Sequence, residues 1–373
     1  MESIAPEEAG MNRKILQRTN DLLREAVETG QTPGAVLIVV REGQIVWSHA
    51  EGVERPGGSP VSTKTVYDQA SLTKPVVTAT AILQLVERGM VRLQDPVSTY
   101  LPDFQSRENS NTIRLIHLLT HTSGIPAYPP VEELLQRTDG SLQNIVYEWL
   151  DTVEREAEAG EAFQYSCPNY VTLQRIIEHV TGQNLSEYAR EHIFTPLNMN
   201  KTGYTPSEDW KNETAPTDLL DSGELLVCTV HDPFARELMG GISGNAGLFS
   251  NAEDLAVFAA MMMNQGEWNG VRVLSPASVR SMTTLPPNQL QQFGRGLGWD
   301  LNSPYASNQG DLFGPNAYGH TGFTGTSLVI DPDLKIAVIL LTNRVHPEGG
   351  GGSVVRLRSL IANIVAASVT NEP

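Results

Sequence analysis

The stretch DQASLTKPVVTATAILQLVERG, residues 68–89, opens with a serine and a lysine three positions apart, Ser71 and Lys74. On a helix that spacing puts the two side chains on one face, within reach of each other. A serine oxygen is a weak nucleophile until a neighbouring base takes its proton, and a lysine is one such base. A free lysine titrates near 10.4, so only about 0.04% of it is neutral at pH 7. A base role therefore asks for a pKa lowered by several units, as burial beneath an apolar helix or nearby cations can do. Pro75 has no N–H and is tolerated only near a helix start, so Ser71 is expected in a first turn. The free N–H groups there favour negative charge developing on its oxygen. By itself S-x-x-K is a common pattern, and a surface lysine beside a helix-capping serine explains it equally well.

Two later segments carry further reactive side chains. EAFQYSCPNYVTLQRIIEHVTG places Tyr165 in a turn just before a helix, with Cys167 two residues on. YGHTGFTGTSLVIDPDLKIAVILLTN places His320, Thr321 and Gly322 ahead of a strand. With these, PGAVLIVVREGQIVW, ASLTKPVVTA at 70–79, IRLIHLLTHTSGIP at 113–126 and GNAGLFSNAEDLA at 244–256 complete an ordered set. Over nearly its whole length the chain resembles the serine β-lactamase and penicillin-binding protein superfamily. The likeness is strongest to the class C-like branch, which includes D,D-peptidases, class C β-lactamases and family VIII esterases.

The resemblance implies roles. Ser71 would be the acylated nucleophile and Lys74 its hydrogen-bonded partner and candidate base. Tyr165 would shuttle a proton between serine, leaving group and deacylating water. His320 would stand first in the K/H-T-G motif on the strand lining the cleft. Thr321 would contact the substrate carboxylate or ester portion, and Gly322 would let substrate backbone approach closely. The backbone N–H groups of Ser71 and Phe323 would form the oxyanion hole, with donors of the sort worth about 3–4 kcal/mol each. Two positions depart from the family pattern. Cys167 stands where Y-x-N has asparagine, which removes an amide donor and acceptor from β-lactam recognition. His320 replaces the lysine of K-T-G, and a histidine is only partly charged near neutrality.

The elements that must position these residues follow from pattern. Residues 11–29 carry apolar side chains at helical spacing and stop at Gly30. PGAVLIVV and QIVWSHAEG flank a short REG turn and read as a hairpin. From about residue 76 the pattern is helical, through SLQNIVYEWLDTVERE (141–156) and NYVTLQRIIEHVTG (169–182). SNAEDLAVFAAMMM opens with Ser250 and Glu253 at capping-box spacing. TGTSLVID (324–331) and KIAVILLTN (335–343) read as strands, and 353–369 as a terminal helix. Strands at both ends bracket a helical middle, and hairpin connections make the sheet antiparallel. The expected fold is α+β: residues 1–75 and 231–373 form a sheet-containing domain and 76–230 an inserted, mainly helical one. The active site would lie between them, with specificity set by loops around 125–140 and 204–240.

Composition narrows the function classes. The chain has 373 residues, 26 Lys+Arg and 43 Asp+Glu, so its net charge of −17 opposes nucleic acid and anionic membranes as partners. No run approaches 18 apolar residues, so no membrane span is expected. The start MESIAPEEAGMNRK lacks a basic region followed by an apolar stretch, so no signal peptide is expected either. That reads as cytoplasmic, or as periplasmic or extracellular if a leader has been removed. Two cysteines make neither a disulfide framework nor a four-ligand zinc site. His117 and His121 are at i, i+4 but have no H-E-x-x-H glutamate, so no metal and no cofactor is expected. No G-x-S-x-G occurs, so an α/β-hydrolase elbow has no support. GGISGNAG (240–247) follows no clear strand, so a phosphate loop is not expected. Asn245 within it is a candidate cleft residue, with a turn role the plainer reading. Cys167 reads most simply as a small packing residue, MMM at 261–263 as core, and Tyr170 and Trp299 as possible cleft walls.

The reading is a serine hydrolase working through a covalent acyl-enzyme on a small-molecule or peptide acyl substrate. A D,D-carboxypeptidase-like or esterase activity comes first, with β-lactams as acylating agents. A class C-like β-lactamase and a non-catalytic penicillin-recognising sensor are the alternatives.

Overall fold

A computed structural model describes residues 1–104, 112–220, 222–346 and 353–370. The helices used below are α1 (Arg18–Glu28), α2 (Thr80–Glu87), α3 (Leu115–Leu119), α4 (Leu142–Thr152), α5 (Cys167–Thr181), α6 (Ala252–Met263) and α7 (Val355–Ala367). The strands are β1 (Gly34–Arg41), β2 (Gln44–Gly52), β3 (Tyr67–Asp68), β4 (Gly203–Tyr204), β5 (Leu248–Ser250), β6 (Tyr318–Thr321), β7 (Ser327–Asp331) and β8 (Ile336–Thr342).

The main sheet has five antiparallel strands in the order β6-β7-β8-β1-β2. The Glu42-Gly43 link between β1 and β2 has positive φ at both residues, 50° and 79°. Such a two-residue turn matches the twist of the strands it joins. Strand β1 is buried along its whole length because both faces of the sheet are covered. Val36, Ile38 and Val40 face one core with Phe258 and Met262 of α6. Ala35, Leu37 and Val39 face a second, with Leu23 of α1 and Ile361 and Val365 of α7. The period-two alternation of a strand thus assigns each side chain to a layer. The first core runs on without a break into α3, α4 and α5. The α+β class and antiparallel sheet built from both chain ends are therefore observed.

Several boundaries differ from expectation. The helix over 11–29 is two pieces, Arg13–Leu16 and α1, joined at Gln17. Helix α5 begins at Cys167, with Pro168 near its start, where a missing N–H costs nothing. Helix α6 is capped by Asn251, whose Oδ1 accepts from the Asp254 N–H at 2.8 Å. Ser250 belongs to β5, paired with Tyr67, so the cap shifts by one residue, and Glu253 accepts from Thr63 Oγ1 at 2.6 Å instead of closing a capping box. His320 and Thr321 lie on a strand, β6, as the resemblance implies, and residues 322–325 form the turn into the next strand, β7. Past Phe194 the helical reading gives way to β4 and one short strand pair, Asp218–Leu219 with Leu225–Leu226.

Candidate active site

Ser71 and Lys74 sit on backbone that is not a regular α-helix. Ala70–Leu72 make one 3₁₀ turn and Lys74–Ala79 a wider π turn before α2 begins. Short π segments recur at functional sites, where they re-aim side chains. Ala70 has φ 46°, a strained value for a residue with a side chain. Two bonds hold it there: Asp68 Oδ1 accepts from the Ala70 N–H at 2.8 Å, and Thr73 Oγ1 donates to Ala70 O at 2.7 Å. Asp68 is itself buried, which pushes its carboxyl up to about 6.

Lys74 is fully buried. Its Nζ lies 2.9 Å from Ser71 Oγ, 2.9 Å from Asn245 O and 3.6 Å from Cys167 Sγ. An ammonium carries three hydrogens, and here each has an acceptor. Burial is the largest influence on Lys74 and pulls its pKa down. Cys167 and Tyr165 beside it act the other way and more than offset this, so the balance stands above the ordinary lysine value. The lowered pKa expected for a lysine base is therefore not found in the resting site, because the same burial that removes water surrounds the amine with acceptors. Burial also pushes the Cys167 thiol up, against the pull of Lys74.

Tyr165 stands two residues before α5. Its ring stacks on His121 at a centroid distance of 4.3 Å and on Tyr305 at 5.4 Å. Lys74 Nζ is 5.0 Å from its centre. His121 is pinned by the Ser166 N–H, which donates to its Nδ1 at 3.0 Å, and His117 Nδ1 accepts from the Arg114 N–H at 3.2 Å. Each histidine of the i, i+4 pair thus has a local structural role.

His320, on β6, is buried, and its Nδ1 lies 2.9 Å from Thr321 O. A carbonyl only accepts, so Nδ1 carries the hydrogen and Nε2 is an acceptor. Burial first, then Arg295 and Lys74, hold the His320 pKa well below its ordinary value, so the ring is neutral at pH 7. The following turn is tied to the serine segment. Thr324 Oγ1 donates to Asp68 O at 2.8 Å and Thr326 Oγ1 to Gln69 O at 3.0 Å. Gly322 is required there by the chain itself, since a Cβ would stand 2.6 Å from Gln69 O. That explains the glycine without any substrate contact.

Ser71, Tyr165, His320, Thr321, Gly322 and Phe323 open onto one cavity of about 300 Å³. Phe323 is 59% exposed and forms its rim. Lys74 lies beneath Ser71, with Cys167 and Asn245 against it. The Asn245 side chain is spent internally, donating to Asp232 Oδ2 at 2.8 Å and accepting from Ser243 Oγ at 2.6 Å; only its carbonyl reaches Lys74. Tyr170 and Trp299 are core residues rather than cleft walls. A larger groove, about 700 Å³, surrounds Trp268 and holds none of these residues. Sequence reasoning missed Arg295, Asp300, Tyr305, Arg344 and Arg358, all of which line the cavity. The alternating glycines of GRGLGW were the available signal for the first of them.

Residues 19–363 match the beta-lactamase family. The chain belongs to that family. It is a serine hydrolase of the beta-lactamase family, with an acyl hydrolase's fold and relatives. It is 32% identical to a putative D-alanyl-D-alanine carboxypeptidase of Escherichia coli (strain K12), covering 92% of this chain and 85% of that one. Among solved structures it resembles EstCE1, a hydrolase with promiscuous acyltransferase activity, with a TM-score of 0.74 and 22% identity, over 94% of this chain and 98% of that one. It also resembles the octameric penicillin-binding protein homologue from Pyrococcus abyssi, with a TM-score of 0.70 and 26% identity, over 92% and 76% of the two chains. Among the described residues no helix is long and apolar enough to cross a membrane.

Proposed function

We propose that this family member carries its acyl group on Ser71 and cleaves carboxyl-terminal D-amino-acid peptides or small esters. The observation behind this reading is the contact of buried Lys74 Nζ with Ser71 Oγ at 2.9 Å, at the floor of the one cavity that Tyr165 and His320 share. Ser71 Oγ attacks the acyl carbon as its proton passes into the Lys74–Tyr165 group beside it. The oxyanion is met by the N–H groups of Ser71 and Phe323, which the Thr324 and Thr326 bonds hold in register. Tyr165 returns a proton to the departing atom, and water then releases the acyl group by the reverse sequence. β-Lactams acylate Ser71 and leave slowly, since Cys167 provides no amide at the position that faces the adduct.

Intact-protein mass spectrometry tests this. Wild type and Ser71→Ala are incubated with a fluorescent penicillin and, separately, with a fluorophosphonate. The expected result is an adduct on wild type alone. Full ester or peptide turnover by Ser71→Ala would refute it.

A further inference from the structure

The pair His231-Asp232 sits where several parts of the site converge. The His231 N–H donates to Asp68 Oδ2 at 2.7 Å, on the carboxyl whose other oxygen accepts from the Ala70 N–H beside Ser71. The His231 ring stacks on Phe323 at a centroid distance of 5.8 Å. Asp232 Oδ2 accepts from Asn245 Nδ2 at 2.8 Å and from the Ala235 N–H at 3.2 Å, and its Oδ1 accepts from the Tyr128 hydroxyl. Tyr128 Oη accepts in turn from the Phe234 N–H at 3.0 Å. Burial and then Asp232 push the Tyr128 phenol well above its ordinary value, so Tyr128 is the donor in this pair.

Asn245 connects this carboxylate to the buried amine. Its amide is held at both ends, Nδ2 by Asp232 and Oδ1 by Ser243 Oγ at 2.6 Å, so it cannot turn without breaking one of the two bonds. Its backbone carbonyl accepts from Lys74 Nζ at 2.9 Å. Gly244 before it is locked as well: its N–H donates to Gln174 Oε1 at 2.8 Å, and a Cβ there would stand 2.1 Å from Tyr170 O. The carbonyl that meets Lys74 is thus aimed from both sides, and one of the bonds that aim it ends on Asp232. Cys167 offers Lys74 only a weak acceptor at 3.6 Å, so the hold on the amine falls more heavily on Asn245 O.

Charge follows the same path. Lys74 Nζ has Ser71 and Cys167 beside it, the Tyr165 ring centre at 5.0 Å and the Tyr170 ring centre at 5.7 Å. His121, His320 and Arg295 are grouped around Tyr165, and both histidines are held neutral by burial. Asp232 is the carboxylate acting on this set. It favours the Lys74 ammonium, after the larger effects of burial, Cys167 and Tyr165. Its charged neighbours Asp68 and Arg236 oppose each other in sign, and Arg236 is tied to Val230 O, His231 O and Glu237.

We propose that Asp232 is a positioning residue for acylation: through Asn245 it aims the carbonyl that holds Lys74, and its charge keeps Lys74 an ammonium in the resting site. This rests on the reading of Ser71 as nucleophile and of Lys74 as part of the group that takes its proton.

Lys74 can be read directly, because the sequence has six lysines. In protein labelled with 15N at lysine Nζ, its NMR signal is the one missing from Lys74→Met. The titration midpoint of that signal should be lower in Asp232→Asn than in wild type by about half a pH unit or more, since a nearby opposite charge favours the charged form. The acid limb of kcat/KM for phenyl acetate should move down with it, so turnover on that limb, relative to the plateau, rises about threefold. A merely structural defect would lower the plateau and leave the limb in place. Asp232→Glu keeps the charge and should return the midpoint to the wild-type value; a midpoint as low as that of Asp232→Asn would overturn the charge role. An unmoved midpoint in folded Asp232→Asn overturns the proposal, and so does a midpoint that moves without the limb. Should Asp232→Asn fail to fold, Tyr128→Phe decides. It leaves the carboxylate and removes a donor to it, so the midpoint should move up, and an unmoved midpoint overturns the proposal. If Ser71→Ala retains full ester turnover, the proposed function fails, while the Lys74 midpoint still decides what Asp232 does to Lys74.

Discussion

Lys74 Nζ stands 2.9 Å from Ser71 Oγ, 2.9 Å from Asn245 O and 3.6 Å from Cys167 Sγ. The buried amine is thus fixed by three acceptors from three separate segments, and one of them is the proposed nucleophile. Replacing it by Met keeps the volume and removes both charge and hydrogens. Lys74→Met should slow acylation of Ser71 by about 10²–10⁴-fold, the range for loss of a positioned proton-transfer group. Stability should fall by about 1–3 kcal/mol, because Asn245 O loses its donor. Adduct formation followed by mass spectrometry, alongside a melting curve, separates the two effects. Acylation at the wild-type rate would remove Lys74 from the mechanism.

The protonation of His320 gives a pH prediction. Burial, with help from Arg295 and Lys74, holds its folded-state pKa well below the ordinary 6.5. Below about pH 6.5 the unfolded chain binds a proton that the fold refuses, so stability is present above that pH and lost as pH falls. His121, also held low by burial, and His117, pushed down to about 4, act in the same sense. Asp68 acts oppositely: its carboxyl, pushed up to about 6 from 3.8, adds stability at low pH that is lost as pH rises through 6. The histidines outnumber it. Tm should therefore fall between pH 6.5 and 4, and His320→Gln should flatten that fall. Parallel Tm–pH curves for the two proteins would show that His320 is not a source of the loss.

Much of this arrangement was legible in the sequence, and particular residues show why. The β1–β2 hairpin, the β7 and β8 runs and α7 have uninterrupted period-two or helical patterns, so their existence followed directly, although their ends moved. The cluster of Ser71, Tyr165, His320 and Thr321 was expected together because their motifs come in order. The cap of α6 was misplaced because Ser250 and Asn251 both suit an N-cap, and only the pairing of Ser250 with Tyr67 decides between them. The acceptors around Lys74 were not legible, because sequence suggests burial but not the carbonyl of Asn245, which is 171 positions away. Arg295 was missed because a buried guanidinium reads as a surface charge until the backbone approach at Gly298 is known.

Cys167 offers a gain-of-function test. Its sulfur is a weak acceptor 3.6 Å from Lys74, and burial keeps the thiol protonated. An asparagine in its place supplies an amide oxygen to Lys74 and an amide N–H₂ toward the acyl group. Cys167→Asn should therefore shorten the life of a penicillin adduct, by about tenfold for one good hydrogen bond to a charged group. Nitrocefin consumption and the decay of the adduct mass are the measurements. Equal adduct lifetimes would show that the amide is not what limits deacylation here.

Gly322 tests the oxyanion hole through its support. A Cβ on this residue would stand 2.1 Å from Thr326 Oγ1 and 2.6 Å from Gln69 O. Gln69 O is backbone and Thr326 is bonded to it, so neither has room to give. Alanine must push the 322–325 turn away from the serine segment, and with it the Phe323 N–H. Loss of one oxyanion donor costs about 10²–10³-fold in kcat. Gly322→Ala should show that loss with the cavity otherwise intact, so KM for a small ester should move far less than kcat. Thr326→Ser/Gly322→Ala leaves the hydroxyl in place and so should not recover activity, whereas Thr326→Ala/Gly322→Ala removes one of the two clashing atoms and should recover part of it. A kcat loss matched by an equal rise in KM would instead mean that the turn binds substrate and does not stabilise the developing charge.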